Sequence, residues 1–106
     1  LKMDATDEEK IALFNLNITT PPMDEGELEK APVVLIRHGL SMFNLKHLEA
    51  VHIHGKGSEG ARAVETDTEG IDPGLHPIGI RQCEAHHDVI NGIEWQVVFT
   101  SPMQRA

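Results

Sequence analysis

The sequence places a histidine and two arginines after short apolar runs. Arg37 and His38 directly follow the run at 33–36, and Arg105 lies shortly after the run at 95–100. A neutral imidazole attacks phosphorus competently when its other ring nitrogen donates a hydrogen bond to a fixed acceptor, which sets the tautomer. Guanidinium groups carry paired donors that match phosphate oxygens. These residue types indicate a phosphate-binding site with a histidine nucleophile.

Other residues close to these fit the same kind of site. Asn44 offers a neutral amide donor, and Gly39 lets the backbone pass close to a ligand because it has no Cβ. A helix that begins after Pro102 would add the attraction of a helix N-terminus for an anion.

Two strands and a helix are the elements expected to position these residues. The runs at 33–36 and 95–100 are almost continuously apolar, which is typical of strands buried on both faces of a parallel sheet. Between them, Pro77 suits the first position of a helix that we expect to reach Ile90, and Gly92 is a stop that can adopt the left-handed conformation. Strand, helix and strand predict a right-handed βαβ unit, and ligands of such sheets bind beyond the carboxyl ends of the strands.

Two shorter helices and a loop are predicted elsewhere. Thr6 and Glu9 have the spacing of a capping box and indicate a helix near the start of the sequence. A second short helix is expected from about Ser41 to Leu48. The region 49–72, which holds four glycines and no clear period, is predicted to be a loop.

The histidine cluster at 47–54 is interpreted as part of a solvated loop, with substrate contacts left open, and the single cysteine is interpreted as structural. His47, His52 and His54 fall in or near the predicted loop, and a metal site is not favoured because no cysteine is near and the surrounding carboxylates have no recognisable spacing. Cys83 has no partner for an internal disulfide and is predicted to be a small buried residue on a helix face.

Composition and charge exclude several classes of protein. The 106 residues carry a formal net charge of -8 with no basic stripe, which argues against a nucleic-acid or anionic-membrane surface. No apolar run approaches the roughly 20 residues of a membrane span, and the first residues do not look like a secretory signal. We therefore expect a cytoplasmic protein. The sequence does not indicate an oligomeric state.

Three blocks in the sequence resemble the histidine phosphatase superfamily, also called phosphoglycerate-mutase-like proteins. Each block is short, but the ordered set is specific and covers roughly residues 33–106. The blocks are Arg37-His38-Gly39 with Asn44, then Asp72-Pro73-Gly74-Leu75-His76-Pro77-Ile78-Gly79-Ile80-Arg81-Gln82-Cys83, and finally Phe99-Thr100-Ser101-Pro102-Met103-Gln104-Arg105-Ala106.

The resemblance implies a role for each matching residue. His38 would be the phosphorylated nucleophile, and Arg37 and Arg105 would clamp the phosphoryl group. Asn44 would contact the phosphate or the substrate near it. Gly79 would permit close packing of a helix on a strand. The substrate would be a small phosphorylated molecule, and the two arginines would supply the positive charge that a metal otherwise provides, so no metal or organic cofactor is expected.

The resemblance also implies an architecture. It is an α/β fold of three layers with a mainly parallel sheet, incomplete within these residues. Residues 1–30 would form an acidic N-terminal extension, and residues 31–106 the N-terminal part of a catalytic domain. The second catalytic histidine and the acid that protonates the leaving group would lie beyond residue 106. The resemblance therefore implies an enzyme when the protein is complete, and it leaves the activity of residues 1–106 alone open. One departure from the family is His76, which stands where many members have threonine and so alters a helix cap.

Three functions remain open at this point. A phosphatase is favoured over a phosphoglycerate mutase because the run with tryptophan and glycine that mutases carry between the first two blocks is not visible. The third is a non-catalytic scaffold that keeps the fold without the chemistry.

Overall fold

The computed structural model describes residues 4–18 and 25–106, and these residues form helices joined by irregular segments. No helix among them is long and apolar enough to cross a membrane. The longest has 13 residues. The helices are α1 (Asp7–Leu13), α2 (Glu25–Lys30), α3 (Met42–His54), α4 (Glu59–Glu65), α5 (Pro77–Ala85) and α6 (His87–Asn91), with a 3-10 turn at Thr68–Gly70.

The predicted three-layer α/β fold with a mainly parallel sheet is wrong for the described residues. The runs at 33–36 and 95–100 are irregular, and Leu35 and Phe99 are 93% and 94% exposed. A strand needs a neighbour that pairs its N–H and C=O groups, and no described segment pairs with either run. An apolar run indicates a preference for burial but does not specify a pairing partner.

In place of a sheet, the described residues contain an isolated antiparallel bridge between Ser41 and Leu75. The backbone N–H of His76 donates to the carbonyl of Leu40 at 2.9 Å, and the N–H of Met42 donates to Gly74 at 2.9 Å. This bridge joins the start of α3 to the start of α5.

Side-chain caps explain where the first and third helices begin. Thr6 accepts a hydrogen bond from the backbone N–H of Glu9 at 3.2 Å, which confirms the predicted N-terminus of α1. Ser41 and Asn44 form a reciprocal capping box at the start of α3. That helix extends past the predicted end at Leu48, as far as His54, because no helix-breaking residue intervenes.

The region 49–72 was predicted to be a loop, and this was wrong over much of its length. Its first six residues belong to α3, which stops at Gly55, where φ is +92°. Ser58 then caps α4 by accepting a hydrogen bond from the N–H of Ala61 at 3.2 Å. Ser58, which precedes a short stretch with apolar residues, was therefore the sequence signal for the start of α4. The four glycines of the region led instead to the prediction of a loop.

The single helix predicted from Pro77 to Ile90 is two helices that break at His86. The ring Nδ1 of His86 bonds the carbonyl of Gln82 at 2.7 Å, while its backbone N–H donates to Cys83 at 3.1 Å. A side chain that takes over the carbonyl one turn back weakens the α-helical ladder at that point.

Two details of this region also differ from expectation. Gly92 ends α6 as predicted, but with φ at -73° and not in the left-handed conformation. Cys83 is exposed, so its predicted burial is wrong.

The core lies where α3, α5 and the N-terminal segment meet. Ile78 is fully buried, and it clusters with Leu40 and Leu45. Apolar residues from the N-terminal segment and from α3 pack against this cluster: Ile11, Phe14, Leu16, Ile18 and Leu48. The described part of the predicted acidic extension therefore contributes to the core, whereas the boundary predicted at residue 30 stays a prediction.

Ion pairs add to this attachment of α1. Lys10 pairs with Glu49 of α3 at 3.0 Å, and Glu8 pairs with Arg81 of α5 at 2.6 Å. Glu8 is mostly exposed, and exposed pairs contribute little to stability. The apolar contacts therefore dominate the docking of α1.

His76 caps α5 in place of the threonine common in the family, because its Nδ1 accepts a hydrogen bond from the N–H of Ile78 at 3.1 Å. We predict that His76→Ala lowers the free energy of unfolding by about 1 kcal/mol, the usual effect of removing an N-cap acceptor. Urea denaturation followed by circular dichroism measures it. The control is His76→Thr, which restores a capping oxygen and should preserve stability. Equal losses in both variants would refute the capping role.

Candidate active site

The loop that follows His38 is held against the first turn of α5 by a contact between two glycines. A Cβ on Gly79 would overlap the carbonyl oxygen of Leu40, and a Cβ on Gly39 would overlap the carbonyl oxygen of Gly79. Gly79 was expected to permit close packing of a helix on a strand, and it does permit close packing, but against a loop. The missing Cβ of Gly39 faces α5 and not an open ligand space.

His38 itself is half-buried, and its ring contacts the Gly39–Leu40 peptide group. The Nδ1 atom lies 2.6 Å from the carbonyl oxygen of Gly39. A carbonyl oxygen only accepts hydrogen bonds, so Nδ1 must carry the proton in the neutral ring, and Nε2 keeps a lone pair. This is the fixed acceptor that a histidine nucleophile requires. The sequence indicated the need for it but not its identity.

Gln82, on α5, ties the same loop to the N-terminal segment. Its Oε1 accepts a hydrogen bond from the N–H of Leu40 at 2.8 Å, and its Nε2 donates to the carbonyl of Asn17 at 2.9 Å. In the sequence, Gln82 stood out only as a member of the second block, Asp72–Cys83, and no role was predicted for it. Its position three residues after Gly79, hence on the same face of a helix, was the available signal.

Arg37 and His38 line a common cavity of about 700 Å³. Its other lining residues are mostly apolar and come from the segment 33–36, from α5, α6 and the residues that follow them, and from the N-terminal part of the chain. Among them, the indole Nε1 of Trp95 donates to the carbonyl of Ile90 at 3.0 Å.

The other two predicted site residues do not line this cavity. Asn44 uses its Oδ1 to accept from the N–H of Ser41 at 3.2 Å, so the side chain is engaged in the cap of α3. Arg105 is half-buried and follows Gln104, whose backbone N–H and side chain both bond to Asp72. The structure thus brings together two of the four predicted residues.

The predicted arginines share one property within the described part of the chain. Arg37 is exposed and Arg105 is half-buried, and neither forms a hydrogen bond or ion pair with a described residue. Both guanidinium groups therefore have all of their donors available to an anion.

Two histidines of the predicted cluster at 47–54 contact neighbouring segments and do not line the cavity of His38. His47 bonds Glu65 at 2.9 Å, linking α3 to α4, and His52 contacts Phe14 edge to face. Both lie on α3 and not in the expected loop. Over residues 4–18 and 25–106, no group of three or more histidine, cysteine, aspartate or glutamate side chains is arranged to hold a metal ion.

Comparison with known proteins identifies the family. Residues 33–106 match the model of the histidine phosphatase superfamily (branch 1), which is well over half of the chain. The chain therefore belongs to this superfamily, whose members carry out phosphoryl transfer, and the resemblance seen in the three sequence blocks is confirmed. Neither a curated protein nor a solved structure matches it.

The contact between the two glycines is testable by adding a methyl group. We predict that Gly79→Ala lowers the free energy of unfolding by about 1–3 kcal/mol through overpacking against the carbonyl of Leu40, despite the better helix propensity of alanine. Gly74→Ala is the control, because its Cβ would lie 3.7 Å from Gln104, an ordinary contact. Thermal and urea unfolding compare the two. A Gly79→Ala variant as stable as Gly74→Ala would mean that the loop is not packed on α5.

Proposed function

We propose that this chain is the nucleophile-bearing part of a phosphatase that acts on small phosphomonoesters through a phosphohistidine at His38. The observation that carries the proposal is the hydrogen bond from Nδ1 of His38 to the carbonyl of Gly39, in a member of the histidine phosphatase superfamily. That bond leaves Nε2 unprotonated and therefore nucleophilic. His38 lines the cavity, and the proposal requires its Nε2 to face a ligand that enters there.

The proposed reaction has two steps. In the first, Nε2 of His38 attacks phosphorus, and a P–N bond forms as the bond to the ester oxygen breaks. A general acid gives a proton to the leaving oxygen. In the second, the conjugate base of that acid takes a proton from water as the water attacks the phosphorus, the P–N bond breaks, and inorganic phosphate and neutral His38 are released. Throughout, the carbonyl of Gly39 stabilises the positive charge that the ring develops.

The proposed roles of the arginines rest on their free donors. Arg37 adjoins His38 in the cavity wall and would bind the phosphoryl oxygens directly. Arg105 would provide the second guanidinium, for which the 101–105 segment has to approach the cavity. Asn44 would contribute its Nδ2 group, since its Oδ1 is engaged in the cap of α3. With two guanidinium groups neutralising the phosphoryl charge, the proposed mechanism needs no metal or organic cofactor.

Two alternatives compete with this proposal. A phosphoglycerate mutase would form the same phosphohistidine and return the phosphoryl group to a substrate instead of to water. The observation that supports a non-catalytic scaffold is the placement of Arg105 and Asn44 outside the cavity that His38 lines. Formation of a phosphohistidine separates the scaffold from the enzymes, and release of inorganic phosphate without a bisphosphate primer separates the phosphatase from the mutase.

The nucleophile is tested with p-nitrophenyl phosphate as the substrate and mass spectrometry of the trapped intermediate. We predict that His38→Ala, made in the complete protein, loses both turnover and the phosphorylated residue while circular dichroism stays unchanged. His87→Ala is the control, because His87 is exposed on α6 and does not line the cavity. Turnover in His38→Ala equal to wild type would eliminate His38 as the nucleophile, and an unphosphorylated wild-type chain would favour the scaffold.

The second guanidinium is tested by Arg105→Ala. Loss of one preorganised donor to the transition state should lower kcat/KM by roughly 10²–10³-fold, about 3–4 kcal/mol. Arg62→Ala on the exposed surface of α4 is the control and should leave kcat/KM unchanged. A fall of less than about tenfold in Arg105→Ala would indicate that this side chain does not reach the phosphoryl group.

A further inference from the structure

The peptide group between Gly39 and Leu40 is held at both of its polar ends. Its carbonyl oxygen accepts from Nδ1 of His38 at 2.6 Å, and its N–H donates to Oε1 of Gln82 at 2.8 Å. A peptide group is planar, so the direction of the N–H fixes the direction of the carbonyl. Gln82 therefore determines where the acceptor for His38 points, without touching the imidazole.

The amide of Gln82 has a defined orientation because its two partners are of opposite kinds. The N–H of Leu40 can only donate, which requires Oε1, and the carbonyl of Asn17 can only accept, which requires Nε2. Turning the amide over would place two donors together at one end and two acceptors together at the other. The half-buried side chain of Gln82 thus links the N-terminal segment to the loop in one defined orientation.

Gly39 and Gly79 bring the backbone of the loop close to α5, and this close approach places the peptide within reach of Gln82. Donation to Gln82 adds a directed hydrogen bond to this contact and polarises the peptide, which strengthens its carbonyl as an acceptor.

We propose that Gln82 is a positioning residue that holds His38 in the tautomer with the proton on Nδ1, acting through the Gly39–Leu40 peptide; its catalytic consequence rests on the proposed role of His38 as the nucleophile. When Gln82 no longer accepts from Leu40, the peptide turns and its carbonyl leaves Nδ1. The proton then moves to Nε2 in a growing fraction of molecules, and a protonated Nε2 has no lone pair to attack phosphorus. A nucleophile or base in the wrong tautomer is inactive even when its position is correct.

The tautomer is measured directly by long-range ¹H–¹⁵N NMR on the full chain labelled with ¹⁵N-histidine, with the signals of His38 assigned from their loss in His38→Ala. Wild type should have the proton on Nδ1. Gln82→Met, which keeps the length of the side chain but removes both hydrogen bonds, should shift His38 toward the form with the proton on Nε2. Gln82→Glu keeps an oxygen for the N–H of Leu40 and should retain the wild-type tautomer. Arg81→Met, one residue away on α5, is the matched control and should also retain it.

A second readout connects the tautomer to chemistry. The rate at which phosphoramidate, a small phosphoryl donor, phosphorylates His38 is followed by mass spectrometry. We expect Gln82→Met to slow this rate at least about tenfold, in parallel with the loss of the Nδ1 tautomer, and Gln82→Glu to recover most of it. If Gln82→Met loses helix content by circular dichroism, Gln82→Asn replaces it, because its shorter side chain keeps the amide but does not reach the N–H of Leu40.

The two readouts distinguish failure of this inference from failure of the proposed function. A wild-type tautomer and rate in Gln82→Met would overturn the role of Gln82 while leaving His38 as the nucleophile. An Nε2 proton in the wild-type chain would also overturn it. A tautomer that shifts in Gln82→Met, in a wild-type chain that never becomes phosphorylated, would support the positioning by Gln82 and contradict the proposed function.

Discussion

The close approach of the Gly39–Leu40 peptide to the first turn of α5 is the constraint on which the candidate site depends. Gly79 allows this approach because a side chain there would overlap the Leu40 carbonyl. The approach lets Gln82 reach the N–H of Leu40, and the peptide in turn directs its carbonyl at His38. In the proposed account, the tautomer of the imidazole follows from these two hydrogen bonds of one backbone peptide.

The same contact connects the site to the stability of the fold. Leu40 is buried beside Leu45 and Ile78, so the residue that donates to Gln82 also belongs to the core. The N-terminal segment closes the other side, since Asn17 holds the far end of the Gln82 amide. A substitution that loosens the core near Leu40 would therefore also disturb the tautomer of His38, because hydrogen bonds and apolar contacts share one segment.

Local signals in the sequence predicted the local structure well. The cap at Thr6 and the start of α5 at Pro77 each depend on near neighbours, and the structure places each as expected in position. The break at His86 could not be predicted, because it depends on a side chain competing for the carbonyl of Gln82.

The sheet could not be predicted reliably because pairing is not a local property. The runs at 33–36 and 95–100 have the composition of buried strands, yet their residues find no pairing partner among the described segments. The candidate site likewise combines residues whose proximity follows from the sequence with a residue whose placement depends on a distant segment. Arg37 and His38 are adjacent in sequence and share a cavity, whereas the placement of Arg105 depends on a distant segment held by Asp72.

The position of the phosphoryl group on the ring tests the account most directly. After reaction of the ¹⁵N-histidine chain with phosphoramidate, ³¹P–¹⁵N coupling identifies which nitrogen of His38 carries phosphorus. Because Nδ1 donates to Gly39, the account predicts phosphorus on Nε2 alone. Phosphorus on Nδ1 would contradict it, since that nitrogen could not both be the nucleophile and hold its proton on the Gly39 carbonyl.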